Sequence, residues 1–269
     1  MPETFADWSA FERSLADGRI FPPGIHALRI DQEHLIAKVA DGDGRPYGRI
    51  RATLVGLLIR VFLGHRADRS VLRRTHRQRL AHEASRLRSL QASGQAVPAV
   101  RLHRGCLLIM QDVGQTIDGL LTPLDQGERL ALIETVAADL AAFHAEGFWH
   151  GASQLRNLTH LDGRVYRIDF EEDLEGIMPL AQRQALDLLL AAFSLAHHRG
   201  ITETGDRVEL IRRLVGIWRE RMDATPAGPE FGRMGRLIGR FRRPGEWLRP
   251  VKGRDVVAFR VLIQGLASP

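Results

Sequence analysis

The sequence predicts an α+β chain, on three observations. Short strand-like runs cluster before residue 112, helix-period apolar patterns dominate after it, and a tight hairpin at 158–168 stands between two of those helices. The length of 269 residues suits one domain of two parts with a sizeable core. Cys106 is the single cysteine, which excludes a disulfide framework. With no secretory-signal pattern at the start, it leads to the expectation of a cytosolic protein. No repeat, low-complexity tract or zinc-type spacing is present. The net charge of +6 is carried almost wholly by arginine, because Lys38 and Lys252 are the only lysines.

In chain order, residues 1–17 form an amphipathic lead-in with Phe5, Trp8, Phe11 and Leu15 on one side. Residues 25–30 and 34–40 read as two strands about a turn at Asp31-Gln32, and the second, LIAKVA, holds Lys38 inside an apolar run. In a chain that otherwise writes its positive charge as arginine, that lysine suits a need for a compact point charge. The bland reading is a strand lysine that snorkels to water.

Between residues 45 and 79 ten arginines are opposed, after Asp43, by Asp68 alone. Ile50, Leu54, Leu57, Leu58 and Val61 share a helical face there, too short and too charged to span a bilayer. Two readings stand level: a basic amphipathic helix at an anionic membrane surface, or an inserted helix with a solvated arginine face. Nucleic acid is less favoured, since Tyr47 and Phe62 are the segment's only aromatics.

Residues 77–93 form a helix with Leu80, Ala84, Leu87 and Leu90 inward and Gly94 as its stop. Glu83 falls beside that stripe, within local reach of Arg79, Arg86 or Arg88. Strands follow at 96–101 and 106–111 about a turn at 103–105, and then Asp112-Val113-Gly114.

Ile133, Val136, Leu140 and Phe143 mark a helix over 130–146 that Gly147 ends. Strands at 158–161 and 164–168 flank Asp162-Gly163, a two-residue turn that pairs Leu161 with Arg164 and, further out, Asn157 with Ile168. Asn157 is then expected beside Asp169. An amide oxygen and a carboxylate so placed suit a magnesium ion that also takes phosphate oxygens, or are ordinary hairpin ends. The helix at 180–197 is apolar around Asp187, a carboxylate that needs a partner, whether Arg183 or solvent. Helices over 210–222 and 231–243 close the pattern, the latter a second basic stretch, RMGRLIGRFRR.

His150, Asn157 and Asp169-Phe170-Glu171 resemble the motifs H-x-D-x-x-x-x-N and D-F-G of the protein-kinase-like superfamily. HAEGFWHG is most similar to the small atypical bacterial kinases, the lipopolysaccharide core, RIO-like and KEOPS-associated kinases. The resemblance covers about residues 25–198. It implies a two-lobed fold, with a β-rich N-lobe over 1–111 that carries the basic insertion at about 41–79, and a mainly helical C-lobe over 112–269. By the same resemblance Lys38 holds the phosphates of ATP and Glu83 positions Lys38. Asp112 opens the hinge whose backbone takes the adenine, and His150 belongs to the catalytic loop. Asn157 and Asp169 hold Mg2+, and Asp187 supports the loop backbone.

Three departures bear on function. No G-x-G-x-x-G loop precedes Lys38, Glu171 stands at the glycine of D-F-G, and Ala152 stands where the family has its catalytic aspartate. That aspartate orients the acceptor hydroxyl and takes its proton, so its loss slows transfer without abolishing nucleotide binding. Ser153, Gln154 and the acids 171–173 are the candidate replacements. The expected function is an ATP- and magnesium-dependent phosphotransferase acting on a sugar, lipopolysaccharide-type or other hydroxyl at the inner membrane face. The alternatives are a pseudokinase that holds nucleotide as a scaffold and, more weakly, an ATPase partner of RNA-modifying machinery.

Overall fold

A computed structural model describes residues 2–17, 21–41, 75–240 and 254–267. The basic segment over 42–74 lies outside them, as do residues 241–253, which include the end of the second basic stretch. The fold is α+β, and the chain divides into two compact units. One holds the described residues up to Gly114 together with Ile168–Glu172; the other holds Gln115–Arg167 and the described residues from Asp173 onward.

The first unit is built on a mixed five-stranded sheet in the order β1-β2-β3-β5-β4. Strand β1 (Glu3–Phe5) runs parallel to β2 (Gly24–Ile30), and β2 is antiparallel to β3 (Glu33–Val39). Asp31 and Gln32 take φ of 47° and 64°, the left-handed pair that a two-residue hairpin turn requires. The aromatic lead-in is helix α1 (Trp8–Ala16), capped by Asp7, whose Oδ1 accepts the Ala10 N–H at 2.6 Å. Phe11 is buried, edge-on to Phe5 and Trp8, in a core with Phe21, Leu28, Ile30, Leu35, Ala37 and Ile109.

Helix α2 (His76–Ala92) opens with a capping box. Thr75 accepts the Gln78 N–H at 3.2 Å, and the Gln78 side chain returns to the Thr75 N–H at 2.9 Å. Its inward stripe is the expected one, Leu80, Ala84, Leu87 and Leu90, with Glu83 buried among them. Strand β4 (Val100–Arg104) begins four residues later than expected, and the turn to β5 (Leu107–Gln111) sits at Gly105-Cys106. The expected strand at 96–101 contains Pro98, which has no N–H for a ladder; Val97, Pro98 and Ala99 are buried as packing residues instead.

In the second unit, β6 (Gln115–Thr116), β7 (Leu158–Leu161) and β8 (Arg164–Arg167) form a small sheet in that order. Asp162 and Gly163, at φ of 49° and 77°, make the hairpin turn, and Leu161 pairs with Arg164 as the turn arithmetic requires. The ladder ends at Leu158–Arg167, so the expected Asn157–Ile168 pair is not part of it. Asn157 closes a 3-10 turn, Leu155–Asn157, and its N–H donates to the Gln154 carbonyl at 2.8 Å.

Helices α3 (Ile117–Leu121), α4 (Gln126–Ala145), α5 (Leu180–His197), α6 (Thr204–Met222), α7 (Ala227–Gly239) and α8 (Arg254–Leu266) complete the unit. Helix α4 starts four residues before its apolar stripe suggests, because Asp125 and Glu128 form a capping box. Helix α6 starts six residues early for a related reason: its first turn is polar, so apolar spacing does not reveal it. Helix α6 packs on α4 and α8, and α5 packs on α7 and α8. Among the described residues no helix is long and apolar enough to cross a membrane.

Candidate functional site

The candidate residues form one constellation in each unit. In the first, the alternation of β3 sends Leu35 and Ala37 into the core and Lys38 to the other face. The Lys38 ammonium meets three carboxylates: Glu83 Oε2 at 2.8 Å, Asp169 Oδ1 at 2.6 Å and Glu171 Oε1 at 2.5 Å. Glu83 arrives on the inward face of α2. Asp169 and Glu171 both reach Lys38, while Phe170 between them is wholly buried, with the Arg86 guanidinium 5.5 Å from its ring centroid. Asp169 holds φ of 69°, a left-handed conformation that aspartate tolerates better than most residues.

Arg79, one turn before Glu83, reaches Glu171 at 3.4 Å and Glu172 at 3.3 Å. Among the described residues, Lys38 and Arg79 thus both hold the 169–172 segment. Burial opposes the charge on Lys38, but Glu83, Asp169 and Glu171 outweigh it and raise the ammonium's pKa above its ordinary value. Burial pushes the Glu83 carboxyl up to about 7, against the pull of Lys38 and with the help of Asp169. The carboxylate oxygens of Glu83, Asp169 and Glu171 lie within 4.8 Å of one another, close enough to share one cation. Asp112 is engaged locally: its Oδ1 accepts the Gly114 N–H at 3.0 Å, and its own N–H donates to the His34 carbonyl at 3.0 Å.

In the second unit the centre is Asp187, fully buried on α5. It accepts the backbone N–H groups of His150 at 2.6 Å and Gly151 at 2.7 Å, and its Oδ2 lies 3.3 Å from His144 Nε2. The Trp218 indole can only donate, and it does so to His144 Nδ1 at 2.9 Å. His144 is therefore the neutral Nε2–H tautomer and donates to Asp187. Burial lowers the His144 pKa. Burial also works to raise that of Asp187, but the bonds from His144 and the His150 backbone hold it below the usual carboxylate value. A charge accepting three hydrogen bonds is how this helix tolerates a buried aspartate.

The loop that Asp187 holds is braced from within. His150 Nδ1 accepts the Ala152 N–H at 3.0 Å, and the Asn157 amide donates to the Ala152 carbonyl at 2.9 Å and to Gln154 Oε1 at 3.2 Å. Gln184 adds bonds to the carbonyls of His144 at 2.7 Å and Phe148 at 3.0 Å. Ser153 is fully buried, and its Oγ has no hydrogen-bond partner among the described residues. Its hydroxyl faces no solvent. Gln154 is tied to Asn157, and Glu171 and Glu172 to Lys38 and Arg79.

Lys38, Glu83 and Asp169 are thus brought together in one unit, and His150, Asn157 and Asp187 belong to the other. The engagement of Glu171 with Lys38 was missed, although its signal is in the sequence: a carboxylate two residues after Asp169 with an aromatic between them. The Trp218–His144 bond left no local signal, since the partners are 74 residues apart. Compared with protein-family models and with curated proteins, the chain matches none.

Proposed function

We propose that this chain is an ATP- and magnesium-dependent phosphotransferase of the atypical kinase type, on a two-lobed kinase-like fold. The observation that carries this reading is the meeting of Lys38 with Glu83 and Asp169, 45 and 131 residues away, at 2.8 and 2.6 Å. Those are the three residues that the motif resemblance selects from separate segments. Lys38 takes the nucleotide phosphates, Glu83 orients Lys38, and Asp187 sets the loop at His150 and Gly151. Asp169 would hold Mg2+, which when bound neutralises charge on the phosphate oxygens. The acceptor is a sugar, lipopolysaccharide-type or other hydroxyl, reached by a cytoplasmic protein held at the inner membrane face through its basic segments.

A second reading has its own observation. Ala152 offers no base, the Ser153 hydroxyl is enclosed and the Gln154 side chain is taken, which favours a scaffold that holds nucleotide without transfer. Loss of a general base slows transfer by about 10²–10⁴-fold, so the two readings differ in rate rather than in binding.

The test is a thermal-shift titration with ATP, with and without magnesium, on the wild type, Lys38→Ala and Asp169→Ala. A rise above that from magnesium alone is expected in the wild type and in neither variant; at 100 times the dissociation constant the ligand adds about 2.7 kcal/mol. No ATP-dependent rise in the wild type overturns both readings. Where ATP binds, release of its γ-phosphate to a hydroxyl acceptor separates enzyme from scaffold.

A further inference from the structure

We propose that Glu83, Asp169 and Glu171 form a divalent-cation site that fills without nucleotide, and that the Lys38 ammonium is the occupant the ion must displace. The inference needs neither ATP nor transfer and stands on side chains of the first unit alone.

Three carboxylates from two separate segments converge on one point, where Nζ lies 2.8, 2.6 and 2.5 Å from their oxygens. A compact ammonium in that position stands in for a metal ion. The distances border on the range of about 2.3–2.6 Å of calcium–oxygen bonds, and a modest contraction would reach the roughly 2.0–2.1 Å of magnesium. The donor set is wholly oxygen, as hard cations require.

An independent feature points to a missing partner. Glu83 has a side chain 1% exposed, and while Oε2 bonds Lys38, Oε1 is buried with no hydrogen-bond partner among the described residues. A bare buried carboxylate oxygen is costly, and a metal ion in the cluster would satisfy it. The charges agree. Among the described residues the Lys38 ammonium meets all three carboxylates, and Arg79 reaches Glu171 at 3.4 Å. A divalent ion supplies twice the lysine's charge at the same point. Because Nζ already touches all three carboxylates, ion and ammonium exclude each other, and Lys38 turns outward when the ion enters.

The chain has only two lysines, Lys38 and Lys252, which makes the exchange directly readable. Wild-type protein is acylated with an amine-reactive ester at constant pH and ionic strength, with Mg2+, Mn2+, Ca2+ or sodium alone, and the two lysines are quantified by peptide mass spectrometry. A divalent ion is expected to raise Lys38 labelling about tenfold or more, since the ammonium loses three anionic partners, and to leave Lys252 unchanged. Lys38→Met is expected to bind Mn2+ about tenfold or more tightly than the wild type in calorimetry, because the competing occupant is gone. That gain is expected to vanish in Lys38→Met/Glu83→Gln and Lys38→Met/Glu171→Gln. Unchanged or slowed Lys38 labelling at saturating divalent ion overturns the proposal, as does a gain that survives either glutamine substitution. The labelling arm needs no variant, so a Lys38→Met chain that fails to fold leaves the proposal fully testable.

Discussion

The indole of Trp218 donates to Nδ1 of His144 at 2.9 Å, and this one bond decides which nitrogen of the imidazole carries the proton. With Nδ1 committed as acceptor, Nε2–H faces Asp187, and Asp187 is left to accept the backbone of His150 and Gly151. A residue of α6 thereby supports the loop through two intermediaries. Trp218→Phe keeps most of the apolar contact and leaves the buried Nδ1 unpartnered. The expected cost is about 1–3 kcal/mol in urea denaturation.

Two buried groups give the protein opposite responses to pH. The folded-state pKa of His144 lies below its ordinary 6.5, so below about pH 6.5 the unfolded chain binds the extra proton and this contribution falls as pH drops. Glu83 is pushed from an ordinary 4.5 up to about 7, so between those values the folded chain binds the extra proton. Its contribution is complete below about pH 4.5 and is lost as pH rises through 7. Glu83→Gln removes the second slope alone. Urea midpoints from pH 5 to 8 are therefore expected to rise more steeply with pH in Glu83→Gln than in the wild type.

Arg167 is enclosed beneath the hairpin, its guanidinium 4.0 Å from the Phe143 ring centroid and bonded to the Asp139 carboxylate and, at 3.1 Å, to the Asp139 carbonyl. Removing the acid alone strands a buried cation, and Asp139→Ala is expected to cost about 3 kcal/mol. Replacing both groups, as Asp139→Leu/Arg167→Met, is expected to cost less than Asp139→Ala. A set of denaturation curves for the single and double variants checks the order.

Two helical glycines are expected to respond with opposite signs to alanine. A Cβ at Gly265 in α8 would meet Ile211 of α6 at 2.4 Å, so Gly265→Ala overpacks that contact and costs about 1–3 kcal/mol. Gly235 in α7 has nothing within 4 Å of the added carbon, and Gly235→Ala gains about 0.5–1 kcal/mol by reducing the entropy of the unfolded chain. Melting temperatures that move the same way in both variants contradict this pair.

Much of the local structure was legible beforehand. The stripe of Leu80, Ala84, Leu87 and Leu90 located α2, Asp162-Gly163 set the hairpin register, and the apolar run around Asp187 matches α5 over Leu180–His197. The errors fall where local pattern and tertiary demand diverge. Val97 to Ala99 look like strand but serve as packing, and the polar first turns of α4 and α6 extend helices past their apolar stripes. The three-residue β1, which pairs with the distant parallel β2, has too short a pattern to be read at all.

By itself the sequence determined which segments are helix or strand, which faces are apolar and which residues are chemically suited to a site. Those properties follow from spacing along a few turns of chain, where periodicity and capping act. Only the tertiary structure decided that Lys38 meets Glu171 as well as Glu83 and Asp169, that His144 is neutral, and that the Ser153 hydroxyl is enclosed. Charge state and availability depend on what desolvates a group and what faces it. Those neighbours come from segments tens of residues away, so their effect arises only when the chain has folded.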